Sequence, residues 1–523
     1  MNKISLRVLL ATGFMIIANL SYSQKLTIDK VYTAYLRNSG PILQKEEIKG
    51  YYLFYQSDKV DRHTDEYTVQ ILDENLNKVK DIKFTDDKSI QLLESSFNGS
   101  CLIFLFYNKG EKQLNYRIYD MDGKKKYEYS KEIDKKTKSM IDNYEKFKSE
   151  DGLNKEIFDI EDRGFISVIP EREGKIYSYE INILHSDQKK QIVYTPNEDI
   201  KFATANYLGS NDTLAFFEIL KKERLTSNTA ESWLLGINLF TGKKAFEIST
   251  EKEEYKFYPM NVSTLQGSSD YMMLGSYYDK SDRVLADNTL GLAIWVMDNK
   301  GKIKIKKYNS WTKEIGKYLN VNEKGKIDNI GYLFFHRILQ TEDGKIFAVG
   351  EGYKRTASAL GITMTAIGAL AGHVGSSGVT KLVITDMVMM QFDNVFNIED
   401  AKIYEKNHNN FESPNGMGGD FMSPHLMAQV VKAYGGFDFA FTQTDQNHSN
   451  FVVAYTDYEK SKEYKGLTFH SISYFNNKFT TDKINLSSKA SKTKILPGKP
   501  GSVMVLEYFK KEKKLDMRLE KIN

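Results

Sequence analysis

The 523 residues carry 73 Lys+Arg against 69 Asp+Glu and are 41% hydrophobic and 13% aromatic, a composition that excludes global disorder and a length that suits one large repeat fold or several small domains. The formal net charge of +4 is spread along the chain without a block of five like charges, which argues against a nucleic-acid partner.

The chain opens as an address. Lys3 and Arg7 precede the apolar run Val8 to Leu20, and the small residues Ser21 and Ser23 stand at the −3 and −1 positions of a cut before Gln24. This order predicts a signal peptide over residues 1–23 and export to the periplasm or cell surface. The apolar run falls short of the roughly 20 residues a membrane span needs, and Gln24 stands where a lipoprotein would have Cys. Cys101 is the one cysteine, inside the apolar stretch Ser100 to Tyr107, so no intrachain disulfide forms and the thiol is expected to be buried.

One pattern then recurs: an apolar strand, an alternating strand, a polar turn, and a Lys-rich alternating strand. Tyr67, Val69 and Ile71 lead into Asp73 to Lys78, and Leu114, Tyr116 and Ile118 into Asp120-Met-Asp-Gly123. Tyr177 to Ile183 lead into Ser186-Asp-Gln188, and Trp233 to Leu239 into Thr241-Gly242. Leu292 to Val296 precede Asp298 to Gly301, Val388 to Phe392 precede Asp393-Asn394, and Thr468 to Tyr474 precede Asn476-Asn477. Period-two alternation puts one set of side chains on one sheet face, and Asp, Asn and Gly supply the positive φ of a tight hairpin.

Ahead of each hairpin stands a more continuously apolar strand: Tyr51 to Tyr55, Leu102 to Tyr107, Phe165 to Ile169, Leu214 to Leu220, Tyr271 to Tyr278, Ile346 to Val349 and Phe451 to Tyr455. Such runs suit strands covered on both faces. Phe437 to Leu486 reads as four antiparallel strands, one propeller blade. Ser502 to Ile522 yields only two or three strands, which predicts ring closure by a strand from Leu26 to Tyr35. The expected fold is all-β: a single β-propeller of seven or eight four-stranded blades over residues 24–523, with tandem β-sandwiches as the alternative. Only 8 Pro are present and no Gly/Ser-rich linker divides the chain, which favours one ring. The repeat signatures of WD, kelch and sialidase-like propellers are absent.

Three segments break the pattern. Asp134 is placed to cap a helix through Phe147 that covers an outer edge. Ser423-Pro424, an apolar stripe to Val431 and Gly435-Gly436 predict a short helix just before the last complete blade. From Thr356 to Thr380 there is no Asp, Glu, Lys or Arg, and Gly368 to Gly372 forms a G-x-x-x-G. That insertion, residues 356–380, is expected to pack on its own ring, with docking to a partner or membrane as the alternative.

The chemistry-bearing residues form no motif. The eight histidines show no H-E-x-x-H, no H-x-H and no cluster with Cys, so no metal ligand is assigned. Asp120-Met-Asp-Gly123 lacks the later ligands of a calcium loop and reads as a hairpin turn. Gly416-Met-Gly-Gly419 lacks the Lys-Ser/Thr of a phosphate loop, and the acids of Glu342-Asp343-Gly344 read as turn chemistry. No catalytic, cofactor-binding or metal-binding residue is therefore named.

The leader ending Ser-Tyr-Ser-Gln24, the meander repeats and the stretch Arg337 to Arg355 before the uncharged insertion resemble an uncharacterised family of exported Bacteroidota proteins. Asp212-Thr213-Leu214 also resembles the O-glycosylation acceptor tripeptide of such bacteria. The resemblance carries over no catalytic residue. The expected function is an exported non-catalytic propeller that binds or scaffolds a protein, peptide or glycan; the alternative is a carbohydrate-active hydrolase or lyase acting at the propeller pore.

Overall fold

The computed structural model describes residues 24–522 apart from 136, 140, 143–154, 197–199, 225–226, 228, 285, 358–379, 412–422 and 488. The leader, most of the uncharged insertion, Gly416 to Gly419 and the far end of the helix after Asp134 thus lie outside the described residues.

The alternating runs become antiparallel meanders of four main strands, each running from the centre outward. Blade 2 shows the rule. Its strands Ile90–Phe97, Cys101–Asn108, Gln113–Asp120 and Lys125–Glu132 pair in sequence order. In the second strand Leu102, Phe104 and Phe106 pack toward blade 1, while Cys101, Ile103, Leu105 and Tyr107 pack toward blade 3. A strand buried from both sides has no face for polar residues, which is why the predicted second strands are unbroken apolar runs. Cys101 is buried, 2% exposed.

Eight such blades follow one another. The hydrophobic core is divided into clusters between neighbours, and the series returns to its start: Met504, Leu506, Leu515 and Met517 of blade 8 pack on Tyr51, Leu53, Leu72 and Leu76 of blade 1. The fold is an all-β propeller of eight blades, not tandem sandwiches. Blade 8 holds the three strands Lys492–Pro497, Ser502–Phe509 and Lys514–Lys521, and the N-terminal strand Lys25–Asp29 completes it as the outer strand. Closure uses a shorter segment than the expected Leu26 to Tyr35, because Thr33–Ala34 already pairs with the second strand of blade 1, Glu47–Lys59.

The hairpin turns are one device repeated. Asp73 Oδ1 accepts from the N–H groups of Asn75 and Asn77 at 2.9 and 2.8 Å, and Asp298 and Asp393 hold the corresponding N–H groups in the same way. Asp120 holds Lys124 N–H at 2.8 Å, so Asp120 to Gly123 is this turn, as expected from sequence. The third residue after each Asp has positive φ: Leu76 62°, Gly123 81°, Gly301 83° and Phe396 68°. A type I turn followed by a left-handed residue and a bulge joins strands at this spacing. Leu76 and Phe396 occupy the glycine position because their side chains are buried.

Blades 3 and 4 share one sheet. A parallel bridge between Tyr177 and Phe202, with Tyr177 N–H donating to the Lys201 carbonyl at 3.0 Å, joins two blades that are otherwise separate ladders.

Both described insertions carry their predicted caps. Asp134 Oδ1 accepts from Thr137 N–H at 2.6 Å, and Ile133 and Ile141 pack into the core between blades 2 and 3 rather than on an outer edge. Ser423 Oγ accepts from Leu426 N–H at 3.2 Å at the start of the helix Pro424–Ala433, which stops at Gly435, φ 67°. Among the described residues no helix is long and apolar enough to cross a membrane.

Candidate functional site

The innermost strands of the eight blades surround a central channel, and polar side chains on them are spent largely on joining neighbours. Lys494 of blade 8 donates to the carbonyls of Leu36, Arg37 and Ser39 at 2.9, 3.1 and 2.9 Å. Arg37 pairs with buried Glu94 of blade 2 at 3.1 Å. Asn261 donates to the Phe335 carbonyl at 2.8 Å, joining blades 5 and 6, and Gln443 to the Gly498 carbonyl at 2.7 Å, joining blades 7 and 8.

Blades 6 and 7 are joined by buried charge. Glu351, fully buried, accepts from the N–H groups of Asp438 and Phe439 at 3.1 Å each, faces His336 Nε2 at 3.1 Å and pairs with Lys406 at 3.2 Å. Lys406 also pairs with Asp438, which accepts from Asn409 at 2.8 Å. Burial disfavours the Glu351 carboxylate, but Lys406 and His336 outweigh it and hold its pKa below the usual range. Burial pushes Asp438 the other way, to about 6, against the pull of Lys406. Burial also lowers the His336 pKa, so the imidazole is neutral near pH 7 and one Lys serves two carboxylates.

The helix Pro424–Ala433 lies across the inner ends of blades 5 and 6. Met427, Ala428 and Val431 pack on Phe334, Tyr353, Leu382 and Ile384, and Tyr353 Oη donates to the Pro424 carbonyl at 2.8 Å. His425 meets the Tyr258 ring edge-on at 4.1 Å, and burial drives its pKa down to about 3, so it acts as a neutral aromatic wedge. The last turn carries Lys432 to a small cavity lined also by Asn206, Glu218, Tyr258, Phe334 and Gln429, with room for about one water.

Glu218 is the perturbed acid of this cavity. It is 1% exposed, and Asn206 Nδ2 donates to its Oε2 at 2.7 Å. Its Oε1 is buried and has no hydrogen-bond partner among the described residues. Burial raises its pKa to about 8, with Asn206, Lys432 and Tyr258 opposing, so the carboxyl carries its proton at neutral pH. Lys432 is lowered by the same burial. The two share the cavity walls without an ion pair.

Below the helix stands Arg337. A bulge between Phe335 and Arg337 in the inner strand of blade 6 turns His336 onto Glu351 and leaves Arg337 exposed to solvent. Protein nevertheless surrounds it: burial lowers its pKa, and Tyr207 of blade 4 and Asp159 of blade 3 act on it across the channel.

No site residue was named from sequence, and these groups show why. Glu94, Glu218 and Glu351 are single carboxyls inside apolar strands, a pattern visible in Leu92 to Phe97, Leu214 to Leu220 and Ile346 to Glu351. That signal marks a buried acid but not its partners. The histidines come to separate places: His408 to Asp386 at 3.6 Å, His470 to Asp457 at 3.9 Å and His448 to Glu46 at 3.2 Å. Among the described residues no three His, Cys, Asp or Glu are arranged to hold a metal. Glu342 to Gly344 is a turn, with Gly344 N–H donating to the Thr341 carbonyl at 2.8 Å.

Solved structures similar to the chain include β-propeller domains. The β-propeller domain of the Trilobed protease from Pyrococcus furiosus, described as having an open velcro topology, matches 75% of this chain and 98% of its own at 12% identity and TM-score 0.33. The Nup133 β-propeller domain of Vanderwaltozyma polyspora matches 92% of this chain and 100% of its own at 9% identity and TM-score 0.34. Prolyl oligopeptidase B of Galerina marginata matches 94% of this chain but 56% of its own length, at 9% identity and TM-score 0.38. No curated protein matches by sequence. With an eight-bladed ring and its channel described, the sequence match completes the assignment: residues 1–523 match the Family of unknown function (DUF6770), and the chain belongs to that family.

Proposed function

We propose that this protein is an exported, non-catalytic β-propeller that binds a protein, peptide or glycan at its channel and on the helix-bearing face. One observation carries the reading: the polar groups that converge on the channel are largely consumed in joining blades, and the cavity beside Glu218 holds about one water, far less than a sugar ring. The helix packs against the hairpin Ile346–Ala357 and Thr380–Phe392, the one whose two strands flank the uncharged insertion in sequence. Packing of the insertion on its own ring is preferred to membrane contact.

Export is supported by where the folded ring begins. Gln24, the residue after the expected cut, already bonds to Leu519, so removal of residues 1–23 leaves the closure intact. Mass spectrometry of the native protein should find its N-terminus at Gln24; retention of Met1 overturns export.

The hydrolase or lyase reading retains one support, the protonated carboxyl of Glu218, where glycoside hydrolysis needs two carboxyls flanking the bond. Glycan and peptide arrays, run beside a panel of polysaccharide substrates, separate the two. Binding without turnover is expected; turnover abolished by Glu218→Gln would transfer the protein to the enzyme class.

A further inference from the structure

The helix Pro424–Ala433 turns two kinds of side chain toward the ring. Met427, Ala428 and Val431 pack on blade 6, whereas His425, Gln429 and Lys432, spaced four and three residues apart, form a second stripe that meets blades 4 and 5. A polar stripe turned onto protein has to find hydrogen-bond partners there. Among the described residues, no hydrogen bond or ion pair runs from the Gln429 or Lys432 side chain to either blade: Gln429 Nε2 lies 3.5 Å from His425 Nε2 of its own helix, and the Lys432 ammonium stands 5.9 Å from the centre of the Phe334 ring.

Between the stripe and blade 4 lies the small cavity, whose polar wall is Asn206, Glu218, Tyr258, Gln429 and Lys432. Glu218 is 1% exposed, and its two oxygens differ. Oε2 accepts from Asn206 Nδ2 at 2.7 Å, while Oε1 is buried without a partner. Burial keeps this carboxyl protonated at neutral pH, and the bond from Asn206 to Oε2 leaves Oε1 as the oxygen that carries the proton. A buried O–H donor left unpaired costs the fold as much as a broken hydrogen bond.

Size and chemistry select the occupant. The cavity has room for about one water, and a water accepts from an O–H or an ammonium while donating to an amide oxygen or a hydroxyl. A metal cation would meet the Lys432 ammonium and a carboxyl that already holds its proton, and an oxyanion exceeds the space. We propose that the cavity is a binding site for one buried water, which joins Glu218 Oε1 to Gln429 and Lys432 and so docks the polar stripe of the helix on blade 4. The helix is then held by direct apolar contact on blade 6 and through a water on blade 4. The inference holds whatever the channel binds.

The test is a high-resolution crystal structure of the whole chain. It should show a water about 2.5–3.2 Å from Glu218 Oε1 and from a polar atom of Gln429 or Lys432. An empty cavity, a direct bond from Glu218 Oε1 to the helix or to Tyr258, or an anomalous peak there after a bromide soak overturns the proposal. Glu218→Gln keeps a donor at the same place and should keep the water, whereas Glu218→Leu should lose it. Hydrogen exchange then reads the docking, with circular dichroism as the folding control. The helix amides should exchange about tenfold faster or more in Glu218→Leu and in Gln429→Leu, and at the wild-type rate in Glu218→Gln. Unchanged exchange in both Leu variants would overturn the proposal as well.

Discussion

The backbone N–H of Leu519 donates to the carbonyl of Gln24 at 3.0 Å, and from there the two ends of the chain run antiparallel from Lys25 opposite Arg518 to Asp29 opposite Lys514. Leu26 and Ile28 pack on the core between blades 8 and 1. The ring is therefore closed by hydrogen bonds between residues from opposite ends of the sequence, and its stability depends on a five-residue strand.

Deleting Gln24 to Asp29 should cost about 2–5 kcal/mol, from lost apolar contact and an unpaired ladder, and should expose Lys514–Lys521 as a free edge. Thermal melting and light scattering check this. An unchanged melting temperature would show that closure adds nothing.

Glu218 predicts a pH dependence of definite sign. Its folded-state pKa of about 8 lies above the usual carboxylate range, so the folded state keeps a proton that the unfolded chain releases. Its contribution is fully present below about pH 4.5 and is lost as pH rises through 8. Glu218→Gln should gain on wild type by roughly 4 kcal/mol between pH 5 and 8.5, measured by denaturant unfolding. Parallel stability curves for the two proteins would refute the burial of this acid.

Lys406 holds Glu351 and Asp438 together, with its side chain fully buried. Lys406→Met should destabilise by about 3–5 kcal/mol, because it leaves two buried carboxyls unpaired. Adding Glu351→Gln to that variant should recover part of the loss. Additive losses in the double variant would mean that the residues act separately.

Gly301 and Gly174 separate strain from crowding. Both have positive φ, 83° and 59°, but a Cβ on Gly301 would lie 2.7 Å from Phe246 Cγ, whereas one on Gly174 meets nothing within 4 Å. Gly174→Ala should cost about 1 kcal/mol and Gly301→Ala clearly more. Equal melting temperatures for the two variants would contradict the packing of Phe246 beneath that turn.

The fold was legible because the propeller repeats a local code. Tyr67, Val69 and Ile71 alternate, Asp73 closes the turn, and the next apolar run restarts the blade. Ser423-Pro424 and Gly435 marked a helix whose ends are set by local bonds. The number of blades was less legible, since the eighth is assembled from both ends of the chain. The channel was not legible at all. Glu218 and Lys432, which line one cavity, come from blade 4 and from the helix before blade 7, and Glu351, Lys406 and Asp438 come together from blades 6 and 7. No spacing along the sequence records such meetings, because they depend on how far each blade rotates from the last.

The bridge from Tyr177 to Phe202 gives the ring an uneven mechanics. One parallel bridge makes a single sheet of blades 3 and 4, whereas the other neighbours remain separate sheets. Blades 6 and 7 share no ladder and meet through the apolar cluster of Phe347, Met389, Phe451 and Tyr474, a bond from Glu342 N–H to the His448 carbonyl and the charges around Lys406. The two seams therefore differ in kind: a main-chain bridge between blades 3 and 4 survives exchange of the side chains around it, whereas the contacts between blades 6 and 7 are open to substitution one by one.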